Sequence, residues 1–350
     1  MKKSFTSFLL LAISTASFAQ SQRLVLVEEF TQASCGPCAA QNPAFNTLLA
    51  ANPTKVVSLK YQTNWPGVDP MNAQDPNDAS SRVSFYGITG VPDGLVDGTQ
   101  IVNDCGVYTG APSCLSQAEI NAAYAIPSPI AINVSSHLSL DNDSIYIHIV
   151  ITNTTSATLA DITNWKLRVA IVEKQIHFTT PPGSNGETDF YMVVRRMLPN
   201  IFGTSWTSLA AGASNTYDFN VALPTYIYQA SQVAVVAFVQ NKATHAVEQA
   251  GYSEYTVGIS SPNSSNNFRI YPNPVSDNVT IEFTSSGNSP VKILVTDLLG
   301  RTVAENDLGK VVAGTNVSHL DLKNLPAGIY AVSVYDGEKV QQQKISILGE

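Results

Sequence analysis

The chain has 350 residues, 44% of them hydrophobic and only 13% charged, with a formal net charge of −8. That length accommodates two or three domains, and so acidic a balance argues against nucleic acid or an anionic membrane surface as a partner. Four cysteines permit two disulfides if the chain is exported.

The N-terminus carries Lys2 and Lys3, then the apolar run FLLLAI, then SFA ending at Ala19. This three-part pattern reads as a signal peptide over residues 1–19. Its removal deletes two lysines and no acid, taking the formal charge from −8 to −10. No cysteine follows the cleavage position, which argues against a lipid anchor. No other apolar run approaches the roughly 20 residues that a membrane-crossing helix needs, so no transmembrane segment is expected in the mature chain.

Residues 20–126 mix strand-like runs (RLVLVEEF, KVVSLKY, GLVDGTQIV) with helix-like segments (AFNTLLAAN, SQAEINAAYA). Ser116 with Glu119 three positions later forms a capping box, and the alternation predicts an α/β unit. Between the first strand and the first helix lies SCGPC. Its spacing puts Cys35 near a helix N-terminus, where unpaired amides and the helix dipole favour a thiolate. Pro37 suits the first turn, and Cys38 is placed to resolve a mixed disulfide formed by Cys35. A structural staple is the bland alternative. A zinc knuckle is disfavoured because no histidine falls between residues 20 and 130 and no second close cysteine pair exists; no metal and no cofactor are expected. Strand alternation places only one of the neighbouring acids Glu28 and Glu29 inward.

The stretch 63–87, with Trp65, Asp69, Asp75 and Asp78, lacks the carboxylate spacing of a calcium loop and reads as a surface insertion. Cys105 and Cys114 bracket a Gly/Pro/Thr-rich loop and are expected to form a structural bridge, worth about 2–3 kcal/mol by chain entropy.

From 127 to 257 the helical signal fades. AINVSSHLSL, SIYIHIVITN, KLRVAIVEKQI, DFYMVVRRML, TYDFNVAL and QVAVVAFVQN are β-branched or aromatic runs, several alternating at period two, which predicts an antiparallel β-sandwich. His177, Arg195 and Arg196 lie on or beside these runs and are expected to be structural or solvated. Residues 258–267, Ser/Asn-rich, read as a linker. Residues 268–350 contain further strands (NVTIEF, VKILVTD, NVSHLDL, GIYAVSVYD) and form a smaller module.

Several separated features of the first region resemble the thioredoxin superfamily: VLVEEFTQASCGPC, Glu29 six residues before Cys35, Pro43 five after Cys38, and YGITGVP ending at Pro92. The resemblance implies an α/β thioredoxin-like fold, followed by the β-sandwich and a small C-terminal β-sandwich. It assigns attack to Cys35, resolution to Cys38 and proton transfer to Glu29. Pro92, in cis, would hold Val91 so that its backbone pairs with an extended substrate. Departures fall at Ser34, where tryptophan is usual, and at Asp93 and Gly94 after the proline. Residues 24–255 also resemble an outer-membrane-protein-related family, on NWPGVDP, YGITGVPDGLVDG, LRVAIVEKQI and VVAFVQNKATHAVEQAG. The last module resembles the type IX secretion sorting domain (type A). That likeness rests on Pro272, Asn273 and Pro274, on the segment from Leu325 through Gly328 to Tyr330, and on Lys344.

Together these imply a secreted or cell-surface protein, exported through the periplasm and handled by the type IX machinery. The preferred function is thiol-disulfide exchange with a protein or small-molecule thiol or disulfide, in a direction the sequence leaves open. The other class is a surface binding or adhesion protein on a redox-inactive scaffold.

Overall fold

The computed structural model describes residues 20–139, 142–254, 268–297, 301–337 and 339–348. The expected signal peptide and the linker at 258–267 lie outside the described residues. The chain forms two compact units: one of the described residues up to Ser136 with Ile147–Phe219 and Leu223–Ser253, the other of His137–Tyr146, Asn220–Ala222 and the residues from Glu254 onward.

The elements run β1 (Val25–Thr31), α1 (Gly36–Ala50), β2 (Val56–Gln62), α2 (Pro70–Gln74), α3 (Pro76–Tyr86), β3 (Asp93–Val96), β4 (Thr99–Gln100) and α4 (Gln117–Tyr124). Then follow β5 (Ile130–Leu138), β6 (Ser144–Asn153), β7 (Trp165–His177), β8 (Asp189–Leu198), β9 (Thr204–Ser205), β10 (Ser214–Ala222), β11 (Val233–Asn241) and β12 (Val247–Glu254). The capping box forms as expected: Ser116 caps α4, and the Glu119 carboxylate accepts from the Ser116 amide at 2.8 Å.

The expected fold class is overturned. The chain is 48% strand and 15% helix, and there is no separate α/β fold followed by a sandwich. β7, β8, β11 and β12 continue the same sheet as the N-terminal strands, in the order β12-β11-β7-β8-β2-β1-β3-β4, with β9 beside β7. β1 and β2 run parallel, β3 runs antiparallel to β1, and β8 joins β2 through one bridge between Val193 and Lys60. The physical reason lies in the residues themselves. β11 is buried from Val233 through Gln240 and β7 from Leu167 through Glu173; such continuous buried runs mark strands covered on both faces. β6 and β10, which do alternate, form a distinct three-stranded sheet with β5.

Coverage of both faces also corrects the reading of Glu28. Leu26, Phe30, Leu59 and Tyr61 pack on one face with Val172, Val236 and Phe238; Val25 and Val27 pack on the other with Phe45 and Ile120. Both acids are therefore buried. Glu28 accepts from Tyr61 Oη at 3.0 Å, from Arg82 at 2.5 Å and from Tyr86, and Arg82 donates onward to Gln240 at 2.9 Å. Three donors on one carboxylate satisfy the buried Glu28. The 63–87 stretch is no surface insertion: it supplies Arg82, α2 and α3. Arg195 is likewise buried with convergent partners. It lies 3.1 Å from Glu173 and donates to the Tyr226 carbonyl at 2.9 Å.

The second unit carries β13 (Arg269–Tyr271), β14 (Asn278–Ser285), β15 (Pro290–Thr296), β16 (Thr302–Lys310), β17 (Gly314–Asp321), β18 (Gly328–Asp336) and β19 (Lys339–Ile347). Two sheets, β13-β14-β17 and β16-β15-β18-β19, enclose Val279, Ile281, Phe283, Ile293, Val332 and Ile345. Of the residues expected to carry the sorting signal, Gly328, Tyr330 and Lys344 lie on the last two strands, and Pro272–Pro274 follow β13. Pro272 and Pro274 both follow cis bonds. The Asn273 side chain between them donates to the Lys344 carbonyl and accepts from the Ser346 amide, each at 2.9 Å. Gly328 opens β18, Tyr330 pairs with Ile345 and donates to the Pro326 carbonyl at 2.8 Å, and the Lys344 side chain is exposed.

Candidate redox site

The β1–α1 junction brings Cys35 and Cys38 into a disulfide, with S–S 2.02 Å and Cα–Cα 5.2 Å. Cys35 is the N-cap residue of α1, and its Sγ accepts from the Cys38 amide at 3.1 Å. That amide would also donate to a thiolate at Cys35, while burial of both cysteines, at 1% and 0% exposure, disfavours a charged sulfur. Pro37 falls in the first turn and Pro43 inside the helix. The Val91–Pro92 bond is cis, and the Val91 carbonyl oxygen lies 3.5 Å from Cys35 Sγ. Sequence-distant Val91 and Pro92 are thus brought to the sulfur. Gly36, Pro37, Thr89 and Gly90 beside this contact are exposed.

Glu29 lies on the α1 side of β1. Its carboxylate meets Lys60 Nζ at 2.5 Å, because Glu29 and Lys60 are register partners on β1 and β2. Lys60 also donates to Asn46 at 2.5 Å and lies over the Phe45 ring. Burial raises the Glu29 pKa above the usual glutamate value, against the opposing attraction of Lys60. Lys60 was missed from sequence; a lone lysine inside the run VVSLKY, opposite an acid in register, is the signal that could have shown it.

Two further segments hold the Cys35–Cys38 loop. Gln32 donates to the Gly67 carbonyl at 2.6 Å and Ser34 to the Val68 carbonyl at 2.7 Å. The buried Asp69 accepts from the Ala33 amide at 2.8 Å while capping α2; burial raises its pKa. From the other side comes the β7–β8 connection. The Ser184 amide donates to Ser34 Oγ at 3.1 Å and the Asn185 amide to the Ala33 carbonyl at 3.3 Å. Gly183 lies so close that a Cβ there would fall well inside contact distance of the Ala33 carbonyl. Gly183→Ala is therefore expected to cost about 1–3 kcal/mol through overpacking, read as a lower urea midpoint of the full chain; an unchanged midpoint would contradict this close approach.

Cys105 and Cys114 form the second disulfide. Their loop is tied down by Gly94 N to Gly110 O and Gly110 N to Ile101 O, each at 2.7 Å. It carries Tyr108, whose hydroxyl donates to the Pro92 carbonyl at 2.7 Å and accepts from Gln41 at 3.1 Å. Asp93, directly after the cis-proline, has its pKa raised to about 6 by burial, while Gln100 donates to it at 2.8 Å. Among the described residues no His/Cys/Asp/Glu group could hold a metal ion, and no helix is long and apolar enough to cross a membrane.

A β-rich unit with one disulfide at a helix N-terminus and another in the loop that reaches the cis-proline, joined in sequence to a small two-sheet unit, defines a disulfide-bearing β protein. The chain belongs to the outer membrane protein Omp28 family, whose model matches residues 79–254. The secretion system C-terminal sorting domain matches residues 269–348. Together these place the protein outside the cell or at its surface, on the outer membrane, and imply the type IX secretion machinery as a partner. Pro92, the Cys105–Cys114 loop and the β7–β8 connection fall inside the family match; Cys35, Cys38, Glu29 and Lys60 precede it.

Among solved structures, HBP35 of Porphyromonas gingivalis is similar, with 16% identity, 94% of this chain and 99% of that chain covered, and a TM-score of 0.55. This is a likeness of fold. Protein AGR_C_4864 from Agrobacterium tumefaciens shares 14% identity over 69% of this chain and 99% of that one, with a TM-score of 0.43. No curated protein matches the chain.

Proposed function

We propose that this surface protein is a thiol-disulfide oxidoreductase acting through Cys35 and Cys38. The observation that supports this best is the position of Cys35 Sγ, 3.1 Å from the Cys38 amide at the start of α1 and 3.5 Å from the Val91 carbonyl before the cis-proline. In the reducing direction the Cys35 thiolate attacks one sulfur of a substrate disulfide and expels the other as a thiolate. Cys38 gives its proton to Glu29 and attacks Cys35 Sγ, which restores the Cys35–Cys38 bond and releases the second substrate thiol. Two electrons pass to the substrate; the oxidising direction runs the same steps backward. The Val91 backbone aligns an extended substrate beside the sulfurs, and the Cys105–Cys114 bridge serves structure by holding Tyr108 on Pro92.

The 1% exposure of Cys35 is the observation on the side of the second reading, in which the pair is a staple and the surface binds a partner. Exchange with a disulfide-containing peptide, glutathione serving as electron donor, separates the two. The oxidoreductase reading expects turnover by the mature chain above the glutathione background. A rate equal to that background leaves the binding reading.

A further inference from the structure

The β7–β8 connection is a hairpin end clamped at its base, by Phe178 N to Thr188 O at 2.8 Å and by His177 to Asp189 at 2.9 Å. Its tip does more than cover the redox loop. Asn185 Nδ2 donates to the Gln32 and Cys35 carbonyls, each at 3.2 Å, and to Glu187 Oε2 at 2.6 Å. The other oxygen of Glu187 accepts from Asn42 Nδ2 at 2.7 Å. Asn42 lies one turn after Cys38 on α1 and also reaches Thr31 Oγ1 at 3.3 Å. One carboxylate thus ties the hairpin both to the backbone of the nucleophile and to the helix that carries the resolving cysteine.

We propose that Glu187 is a positioning residue of the redox site, whose negative charge disfavours the thiolate form of the pair and so makes it the stronger reductant. The inference rests on the oxidoreductase reading above. The charged groups facing Glu187 are Glu29 from β1 and Lys60 from β2, with the two cysteines on the redox loop and α1. Lys60 pairs directly with Glu29 and acts on Glu187 only through its field, so a thiolate on the loop that Asn185 and Asn42 tie to Glu187 adds a further negative charge, which is repelled. Burial raises the Glu187 pKa while Asn42 and Asn185 hold it down. Its charge consequently vanishes as the pH falls through that raised value.

The test equilibrates the mature chain with glutathione redox buffers between pH 5 and 8.5, comparing wild type, Glu187→Gln and Glu187→Asp. Gln keeps the shape and removes the charge; Asp keeps the charge. Glu187→Gln is expected to raise the equilibrium ratio of reduced to oxidised pair about three- to tenfold at pH 8, roughly 15–30 mV toward a more oxidising couple. The difference is expected to shrink toward pH 5, with Glu187→Asp staying near wild type. A shift of the same size at every pH, or none, overturns the proposal, since a purely structural role has no reason to follow the acid's protonation. A wild-type pair that titrates in no buffer overturns the oxidoreductase reading itself, and this inference with it.

Discussion

Cys38→Ala is expected to convert the protein from a turnover catalyst into a trap, accumulating about one mixed disulfide per chain with a peptide disulfide. Cys35→Ser forms no adduct and drops exchange to the background rate. The asymmetry follows from geometry: only Cys35 accepts the α1 amide and meets the Val91 carbonyl, whereas Cys38 is fully buried one turn into the helix. Resolution requires Cys38 to lose its proton inside the protein, and Glu29, itself buried with a raised pKa, is the proposed acceptor. Non-reducing gels and intact-mass measurement read the adduct. Equal adducts from both single variants, or none from Cys38→Ala, contradict the assigned roles.

Lys60→Met is expected to be the most destabilising single change at the site. It strands the Glu29 carboxylate, 1% exposed, without its 2.5 Å partner, and breaking a buried pair in this way costs about 3–5 kcal/mol. The pH dependence has a definite sign. An acid whose folded pKa lies above its unfolded value of about 4.3 contributes stability fully below that unfolded value, and loses it as the pH rises through the folded one. In wild type Glu29 is already on the raised side; without Lys60 the folded value climbs further, so the loss extends to higher pH. Urea midpoints of Lys60→Met should therefore fall further below wild type at pH 8 than at pH 5, and adding Glu29→Gln should recover much of the deficit. An equal deficit at both pH values, unaffected by Glu29→Gln, assigns the effect to lost packing over Phe45 instead.

What was legible in the sequence was local. Cys35, Cys38 and Pro37 sit within one turn, Glu29 within the preceding strand, and Ser116 with Glu119 within one capping box; their placement depends on neighbours a few positions away. The cis bond before Pro92 was suggested only by likeness. The fold class was misread because its deciding contact is a single bridge between Lys60 and Val193, which nothing in either segment advertises. The continuous burial of β7 and β11 was the available signal, and it was outweighed by the alternating strands around them. Lys60 and Glu187 escaped notice for related reasons. A lysine in a strand and an acid in a Gly/Pro/Ser-rich turn normally belong to solvent, and only long-range pairing, with Glu29 for Lys60 and with Asn42 for Glu187, turns each inward. Asp69 was hidden by its setting among other acids, where it serves as a cap to α2 and to Ala33 at once.

On the proposed function the Cys35–Cys38 bond is a working couple and the Cys105–Cys114 bond is structural. The most direct measurement equilibrates the mature chain across glutathione redox buffers and reads each pair by thiol-labelling mass spectrometry. Reversible opening of Cys35–Cys38 alone, at a potential well above that of Cys105–Cys114, is the predicted result, and its value sets the direction of electron flow. Two pairs that open together, or a Cys35–Cys38 bond that resists reduction throughout, would contradict the account and make the pair a staple.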